Sequence, residues 1–248
     1  MSAKSELVTF YCHDRRIFGN LHLPYEEAPC IIALHGLESD KDSGKWPIIA
    51  SKLYKEGYAC LRFNFRGCGS EPEKSEGSFE ETCLTGRVED YRAAINFLWD
   101  SGKVDVNRLG VIGSSFGGMA AVAAQNERIK AMVVMATPYR IPVFGEPKRS
   151  RKLGKYYELP SGRRLKENFF KDLEKHDLLD AVKKAPPILI MHGSMDEIVP
   201  VEHALKLYEA APEPKRLEII DGGDHTFSSA EHLNRAIDLS LEWFNKYL

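Results

Sequence analysis

The pentapeptide at residues 113–117, Gly-Ser-Ser-Phe-Gly, has the pattern of an activated serine nucleophile. It follows a short apolar run and precedes a segment rich in alanine, which predicts a strand, a sharp turn and a helix. At such a turn the strained backbone exposes the hydroxyl of the central serine, and flanking glycines avoid clashes with a Cβ atom. The start of the helix also favours developing negative charge. We therefore predict that Ser115, and not its neighbour Ser114, attacks a substrate.

A serine nucleophile at neutral pH needs an imidazole that accepts its proton and an acid that orients the imidazole. Asp196 follows an apolar run at residues 187–191, and His225 follows the next such run at residues 217–220. The carboxyl ends of parallel strands meet at one edge of an open sheet, where ligand chemistry collects. Ser115, Asp196 and His225, in this chain order, are therefore the predicted catalytic triad.

Other histidines and acids could fill the same roles. Asp224 adjoins His225, and adjacent residues seldom point their side chains at each other, so Asp196 is the stronger candidate. His35 and His192 each precede a glycine at the end of an apolar run, where a buried imidazole usually shapes a turn. No catalytic role is expected for the acids Glu197 and Asp221 or for the solvated histidines His13, His22, His176, His203 and His232.

Backbone N–H groups must stabilise the negative oxygen that forms when a serine attacks a carbonyl. The tetrapeptide Leu-His-Gly-Leu at residues 34–37 ends the first continuous apolar run. The loop after this strand supplies one donor, and the residue after the nucleophile supplies the other. We predict an oxyanion hole made by the N–H groups of Leu37 and Phe116, each worth on the order of 3 kcal/mol.

A buried sheet is needed to position these residues. Residues 6–23 alternate in type and are rich in strand formers, which predicts an antiparallel hairpin at a sheet edge. Continuous apolar runs then follow, separated by segments with helical spacing, as is typical of parallel strands with crossover helices. The predicted fold class is α/β, a doubly wound and mostly parallel sheet with antiparallel N-terminal edge strands. The runs are at residues 30–34, 58–63, 109–112 and 131–136, in addition to the two already described.

Helix boundaries are predicted from spacing and capping patterns. Ser78-Phe79-Glu80-Glu81 matches a capping box, which predicts a long helix that begins there and runs to about Trp99. Further helices are expected at residues 46–56, from Ser115, at residues 201–211 and at residues 229–247.

Residues 138–185 interrupt the alternation of strands and helices. We predict that they form an inserted lid, and that residues 1–137 and 186–248 form the α/β core. Within the segment, Pro-Ser-Gly at residues 160–162 predicts the turn of a small hairpin. Tyr156, Tyr157 and Phe144, together with Phe169 and Phe170, are candidates for the wall of an aromatic or acyl pocket, although packing of the lid explains them equally well.

Composition narrows the classes of function. The 34 Lys and Arg residues nearly balance the 36 Asp and Glu residues, so bulk charge predicts no nucleic-acid partner. The lid carries thirteen basic and seven acidic residues, which is interpreted as a solvated charged face; attraction of an anionic substrate is the alternative.

The apolar runs are too short to span a membrane, and the first residues lack the apolar core of a signal peptide. Five cysteines without C-x-x-C spacing predict neither a disulfide framework nor a metal site.

Five segments of the chain resemble the α/β-hydrolase superfamily. In length, in its single-glycine His-Gly loop and in its Gly-Asp-His-Thr-Phe ending, the chain is similar to bacterial and archaeal carboxylesterases that include cinnamoyl (feruloyl) esterases. It resembles serine aminopeptidases and monoacylglycerol lipases more loosely. Members of the superfamily commonly have an acid where Asn64 stands here. The segments are residues 34–37, 62–70, 113–117, 192–196 and 223–227.

The residues and the resemblance together predict a serine esterase that needs no cofactor. An acyl-enzyme on Ser115 is expected, and the resemblance implies short, medium or aromatic acyl groups, cinnamoyl groups among them. The expected partner is a small-molecule ester in the cytoplasm, with a homodimer as an open alternative to a monomer. Other functions that stay open are a serine aminopeptidase, a monoacylglycerol lipase, an acyltransferase and a non-catalytic binding protein; the intact triad argues against the last.

Overall fold

Eleven strands form two sheets in the computed structural model, which describes residues 4–248. The strands are β1 Ser5–Cys12, β2 Arg15–His22, β3 Ala28–Leu34, β4 Ala59–Phe63, β5 Val104–Ser114, β6 Ile129–Met135, β7 Lys148–Ser150, β8 Gly154–Glu158, β9 Arg164–Lys166, β10 Ile188–Gly193 and β11 Lys215–Ile220. The central sheet has the order β1-β2-β4-β3-β5-β6-β10-β11. The β1–β2 and β2–β4 pairs are antiparallel, and the other neighbours are parallel. The predicted fold class is therefore confirmed.

Helices cover both faces of this sheet. They are α1 Trp46–Lys55, α2 Leu84–Ser101, α3 Phe116–Ala124, α4 Asn168–Leu173, α5 Leu178–Ala181, α6 Glu202–Ala210 and α7 Ala230–Tyr247. Successive residues of a strand face opposite sides, so each buried strand packs on both layers. In β3, Cys30 and Ile32 pack on the side of α2, α3 and α6, whereas Ile31 and Ala33 pack on the side of α1 and α7.

Helix α2 begins later than the capping-box pattern predicts. The hydroxyl of Ser78 makes no capping bond to the backbone and instead bonds to the carboxylate of Glu80. Phe79–Glu81 form one turn of 3-10 helix, after which the backbone becomes extended. The actual cap is Cys83, whose Sγ atom accepts a hydrogen bond from the N–H of Gly86 at 3.3 Å. The predicted start was wrong because the pattern does not separate a single turn from a long helix.

The segment between β6 and β10 contains its own three-stranded antiparallel sheet, in the order β7-β8-β9. Strands β8 and β9 form the hairpin that the Pro-Ser-Gly turn predicts. The carboxylate of Asp172 in α4 anchors the segment to α2, because it accepts hydrogen bonds from the N–H and the hydroxyl of Thr85 at 2.9 and 2.7 Å. We refer to residues 138–185 as the lid and keep its boundaries as a prediction.

Buried polar contacts hold the loop that follows β3. His22, predicted to be solvated, is only 5% exposed, and its Nε2 atom accepts a hydrogen bond from Nε of Arg62 at 3.1 Å. Arg62 also donates to the carbonyl of Lys41 at 2.7 Å. Asn64 accepts a hydrogen bond from the N–H of Lys41 at 2.8 Å, so the amide at this position has a structural role.

None of the helices formed by the described residues is both long enough and apolar enough to cross a membrane.

Candidate active site

Ser115 lies at a tight turn between β5 and α3. Its backbone angles, φ 53° and ψ −121°, are ones that residues with a side chain rarely adopt. A Cβ atom on Gly113 would lie 2.8 Å from the carbonyl oxygen of Gly117, and one on Gly117 would lie 2.1 Å from the carbonyl oxygen of Leu34. Larger residues at these positions would push the helix away from the strand. The glycines therefore allow the strained turn that exposes the hydroxyl.

The structure brings Ser115, Asp196 and His225 together. Nε2 of His225 lies 3.1 Å from Oγ of Ser115, and Nδ1 of His225 lies 2.8 Å from Oδ2 of Asp196. A carboxylate can only accept, so Nδ1 carries the hydrogen and Nε2 is left free to accept the serine proton. This is the arrangement that a histidine needs to act as a general base.

Two loops meet closely to make this arrangement. A Cβ atom on Gly193, at the end of β10, would lie 2.1 Å from the carbonyl oxygen of Gly223. That carbonyl also accepts a hydrogen bond from the N–H of Met195 at 2.9 Å. The loop with Asp196 and the loop with His225 therefore contact each other through their backbones.

Asp196 is held as an anion by several donors. Burial raises the pKa of its carboxyl, but hydrogen bonds from His192, His225 and the N–H of Val199 outweigh burial and bring the pKa well below its ordinary value. The N–H groups of Ile198 and Val199 donate to Oδ1 at 2.9 and 2.8 Å. The carboxylate thus stays ionised, as its role beside the imidazole requires.

His192 contributes more than the turn that the sequence predicts for it. Its Nε2 atom faces two acceptors, the carbonyl of Val199 at 2.8 Å and Oδ2 of Asp196 at 3.1 Å, and therefore carries a hydrogen. The imidazole is fully buried. His192 therefore supports the acid of the triad through the same carboxylate oxygen that faces His225.

The two predicted oxyanion donors lie beside the nucleophile. Phe116 is the first residue of α3, where a backbone N–H has no partner within the helix. A Cβ atom on Gly36 would lie 3.6 Å from Cβ of Ser115, which places the loop after β3 against the nucleophile. Among residues 4–248, no acceptor lies within hydrogen-bond range of the Leu37 N–H. The oxyanion hole formed by these two N–H groups stays a prediction.

Lys45 is a component of the site that sequence reasoning missed. Its Nζ atom donates to Oγ of Ser114 at 2.8 Å and to the carbonyl of Thr226 at 3.3 Å. Burial lowers the pKa of this ammonium to about 8, although the negative charges of Asp224 and Asp196 act to raise it. Lys45 thereby connects the residue before the nucleophile to the residue after His225. A lysine in a loop has no sequence pattern that would indicate this contact.

Lid aromatics reach the site through a continuous cluster. The ring of Phe169 lies 5.4 Å from that of Phe116, and Phe170 lies 5.1 Å from Phe169. Tyr157 and Phe144 lie 4.6 and 5.1 Å from Phe170. We call these four lid residues, Phe144, Tyr157, Phe169 and Phe170, the aromatic cluster. It links the lid to Phe116, one of the two predicted oxyanion donors.

Tyr156 is not brought into the aromatic cluster. Neighbouring residues of a strand point to opposite faces, so Tyr156 lies on the other side of β8 from Tyr157. Its ring packs instead against the guanidinium of Arg164, 5.2 Å from the ring centre. Of the three predicted pocket residues, the structure groups Tyr157 and Phe144 and separates Tyr156.

One group of potential metal ligands lies outside the triad. Ligand atoms of Cys12, His13 and Glu89 lie within 4.8 Å of one another. The guanidinium of Arg66 lies 3.2 Å from Sγ of Cys12 and 3.0 Å from Glu89, where its charge opposes a cation. Burial also raises the pKa of the Cys12 thiol to about 12, which disfavours the thiolate that a metal binds. The absence of a metal site stays our prediction.

Comparison with known proteins gives one family and several relatives. The prolyl oligopeptidase family matches residues 48–248, a range that contains Ser115, Asp196 and His225. The uncharacterized protein YfhR of Escherichia coli O157:H7 is 28% identical over 232 residues, which cover 89% of this chain and 73% of that protein. The crystal structure of an esterase domain from a Rhodothermus marinus protein is 27% identical, with a TM-score of 0.75 over 98% of this chain and 99% of that one.

A third similarity concerns the fold alone. Est1E from Butyrivibrio proteoclasticus, solved with bound ferulic acid, is 22% identical, and the two structures superpose with a TM-score of 0.83. The match covers 96% of this chain and 99% of Est1E.

Proposed function

This chain belongs to the prolyl oligopeptidase family and is a hydrolase of the α/β-hydrolase type, and we propose that it cleaves carboxylic esters through an acyl-enzyme on Ser115. The hydrogen-bonded series Asp196, His225 and Ser115 is the observation that carries the proposal. Similarity to an esterase domain over nearly the whole chain favours an ester as substrate.

Acylation follows from the geometry of the three side chains. Oγ of Ser115 attacks the carbonyl carbon of the ester while its proton passes to Nε2 of His225. The electron pair of the carbonyl moves to the oxygen, which accepts hydrogen bonds from the N–H groups of Leu37 and Phe116. When the tetrahedral intermediate collapses, the bond to the alcohol oxygen breaks, and that oxygen takes the proton from His225.

Deacylation repeats these steps with water. His225, neutral again, accepts a proton from water as the water oxygen attacks the acyl carbon. Collapse of the second intermediate breaks the bond to Ser115 and returns the proton to Oγ. The products are the free acid and the original enzyme. His225 accepts and returns the proton in every transfer of this scheme.

The aromatic cluster supports a short or aromatic acyl group, with cinnamoyl esters as one class. Its rings extend from the lid to Phe116, the residue that follows Ser115. Ligand pockets are mostly apolar with a few polar groups, and flat rings suit flat substrates. The solved complex of Est1E with ferulic acid involves an aromatic acid of this kind.

Peptide hydrolysis is the second candidate, and the family match favours it. An aminopeptidase needs a carboxylate that binds the free amine of its substrate. Glu197 adjoins Asp196, is exposed, and has no ion-pair partner within residues 4–248. It is therefore a candidate for that contact. The two activities are separated by assaying aryl esters and aminoacyl anilides side by side.

Labelling with a fluorophosphonate tests the proposal, because this reagent reacts with an activated serine. We expect one label, on Ser115, together with hydrolysis of aryl and short-chain esters. The variant Ser115→Ala should lose the label and on the order of 10⁶ in kcat.

Ser114→Ala is the matched control, since it removes the adjacent hydroxyl and leaves the nucleophile in place. It should retain labelling and hydrolysis. A label at another residue would contradict the assignment of Ser115. Negligible ester hydrolysis beside rapid aminoacyl anilide cleavage would replace the esterase with a peptidase.

A further inference from the structure

Arg87 of α2 is buried beneath the loop that follows β3. Only 1% of its surface is exposed. Its Nη1 atom donates to the carbonyl oxygens of His35 and Gly36 at 2.8 and 3.1 Å, and its Nη2 atom donates to the carbonyl of Leu37 at 3.2 Å. One guanidinium therefore binds three successive carbonyls of the loop that contains a predicted oxyanion donor.

The peptide between Gly36 and Leu37 is the most constrained of the three. Its carbonyl accepts from Arg87 and also lies 2.8 Å from Nδ1 of His35. In a trans peptide the C=O and the N–H point in opposite directions. With the carbonyl held toward Arg87, the N–H of Leu37 must point away from it. A Cβ atom on Gly36 would lie 3.6 Å from Cβ of Ser115, so the loop that carries this N–H borders the nucleophile.

Arg87 also contacts the second oxyanion donor residue. Its guanidinium carbon lies 4.9 Å from the ring centre of Phe116 and 4.4 Å from that of Phe65. The cation is thus enclosed by two rings and three carbonyls. These contacts fix the guanidinium with respect to both segments of the oxyanion hole at once.

The charge of Arg87 has no neutralising carboxylate at ion-pair distance among the described residues. Asp90, one turn further along α2, is bound by Arg66 at 2.7 Å. Burial lowers the pKa of Arg87 to about 10, so the side chain is still a cation at neutral pH. A buried cation costs more free energy than an apolar side chain of similar volume. The three loop carbonyls are the acceptors that compensate this cost.

We propose that Arg87 is a positioning residue for the oxyanion hole, which orients the Leu37 N–H and adds a fixed positive charge behind it. The inference rests on the proposed ester hydrolysis. A negative oxygen above Ser115 then has two N–H donors in front and a cation behind the donor loop. The stabilisation is specific to the tetrahedral intermediate, because the ester carbonyl carries no full charge before attack.

Two variants and two ketones test this role. Arg87→Gln removes the charge, and Arg87→Lys keeps it but cannot reach three carbonyls. An aryl trifluoromethyl ketone forms a charged adduct with the serine, whereas the matching methyl ketone binds without forming a covalent adduct.

For Arg87→Gln we expect a loss on the order of 10²-fold in kcat on an aryl ester, with little change in KM. The affinity of the trifluoromethyl ketone should fall by the same factor, while the methyl ketone binds as before. Arg87→Lys should recover part of both losses.

Arg66→Lys is the matched control, because Arg66 is a partly buried arginine that contacts the same helix and none of the loop carbonyls. It should lower the melting temperature without changing the ratio of the two ketone affinities. Equal losses of both ketones in the Arg87 variants, or unchanged affinity for both, would overturn the positioning role. If Arg87→Gln does not fold, Arg87→Lys gives the same comparison. An inactive, unlabelled wild-type enzyme would instead overturn the proposed function, and this inference with it.

Discussion

The Nε2 atom of His192 lies 3.1 Å from Oδ2 of Asp196, the same carboxylate oxygen that faces Nδ1 of His225 at 2.8 Å. The acid of the triad is therefore fixed between two imidazoles, one that is fully buried and one that reaches the nucleophile. With both oxygens occupied, the carboxylate has little freedom to rotate. Its orientation is decided before any substrate binds.

The variant Asp196→Asn should lose most of the activity. An amide can donate to Nδ1 of His225 and thereby favour the tautomer that cannot accept the serine proton, an effect worth on the order of 10⁴ in kcat. The measurement is kcat on an aryl ester with circular dichroism as a check of folding. Asp224→Asn is the control, because Asp224 contacts the Thr226 and Ser228 backbone instead of the imidazole. Comparable losses in the two variants would contradict the assignment of the acid.

Lys45→Met should slow the reaction without weakening substrate binding. Methionine keeps the apolar stem but cannot donate to Ser114 or to the carbonyl of Thr226, so the loop with His225 is held less firmly. Loss of the hydrogen bond from this charged donor to the Thr226 carbonyl, which holds the loop with His225, predicts a fall of about tenfold in kcat. Steady-state kinetics of Lys45→Met and of the exposed control Lys52→Met provide the comparison. Equal kcat values in the two variants would show that the connection is not needed.

The buried His22 predicts a loss of stability at mildly acidic pH. Burial and the charge of Arg62 lower its pKa from 6.5 to about 4. Between these values the unfolded chain binds a proton that the folded chain does not, so the free energy of unfolding falls as pH falls. From pH 7 to about pH 5 this single group costs about 2 kcal/mol. Urea unfolding at the two pH values measures the change.

The variant His22→Gln isolates the contribution of His22 from that of other groups. Glutamine can still accept from Arg62 but does not titrate, so the variant should lose about 2 kcal/mol less than the wild type over the same pH change. His232→Gln, on α7, is the control and should behave as the wild type. The same pH dependence in wild type and His22→Gln would rule out a lowered pKa at this histidine.

The aromatic cluster should decide the preference for aromatic acyl groups. Phe169→Leu keeps an apolar residue next to Phe116 but removes the ring, and we expect kcat/KM for a cinnamoyl ester to fall about tenfold relative to an acetyl ester. Tyr156→Ala, on the opposite face of β8, should leave this ratio unchanged. The prediction fails if Tyr156→Ala changes the ratio as much as Phe169→Leu does.

The sequence predicted those parts of the molecule that depend on local patterns. The apolar runs match the strands β3, β4, β5, β6, β10 and β11, of which all but the edge strand β11 are mostly buried. Gly113 and Gly117 indicate the turn because no other residue fits there. The family match confirms the resemblance to α/β-hydrolases. In these enzymes the serine, the acid and the histidine follow one another in the same order as Ser115, Asp196 and His225.

Contacts between distant segments could not be predicted in the same way. From the sequence, His22 is a polar residue on an edge hairpin. Its burial depends on Arg62 of β4, a strand that pairs with β2 in the sheet but does not follow it directly in the chain. Lys45 has no distinctive neighbours in sequence. Arg87 did leave a signal, because it lies at the spacing of the buried stripe of α2 with Tyr91 and Ala94, where a charged residue is unusual.

The close backbone contacts at Gly117 and Gly193 indicate which segments of this molecule tolerate changes of sequence and which do not. At Gly117 the segment with the nucleophile touches the main chain at the end of β3, and at Gly193 the loop with the acid touches the main chain of the loop with the base. The lid joins the body after β6 and before β10 and supplies none of these contacts. It is therefore an exchangeable module: lids from related hydrolases, grafted between the same two strands, should change which esters are accepted while the reacting atoms stay in place.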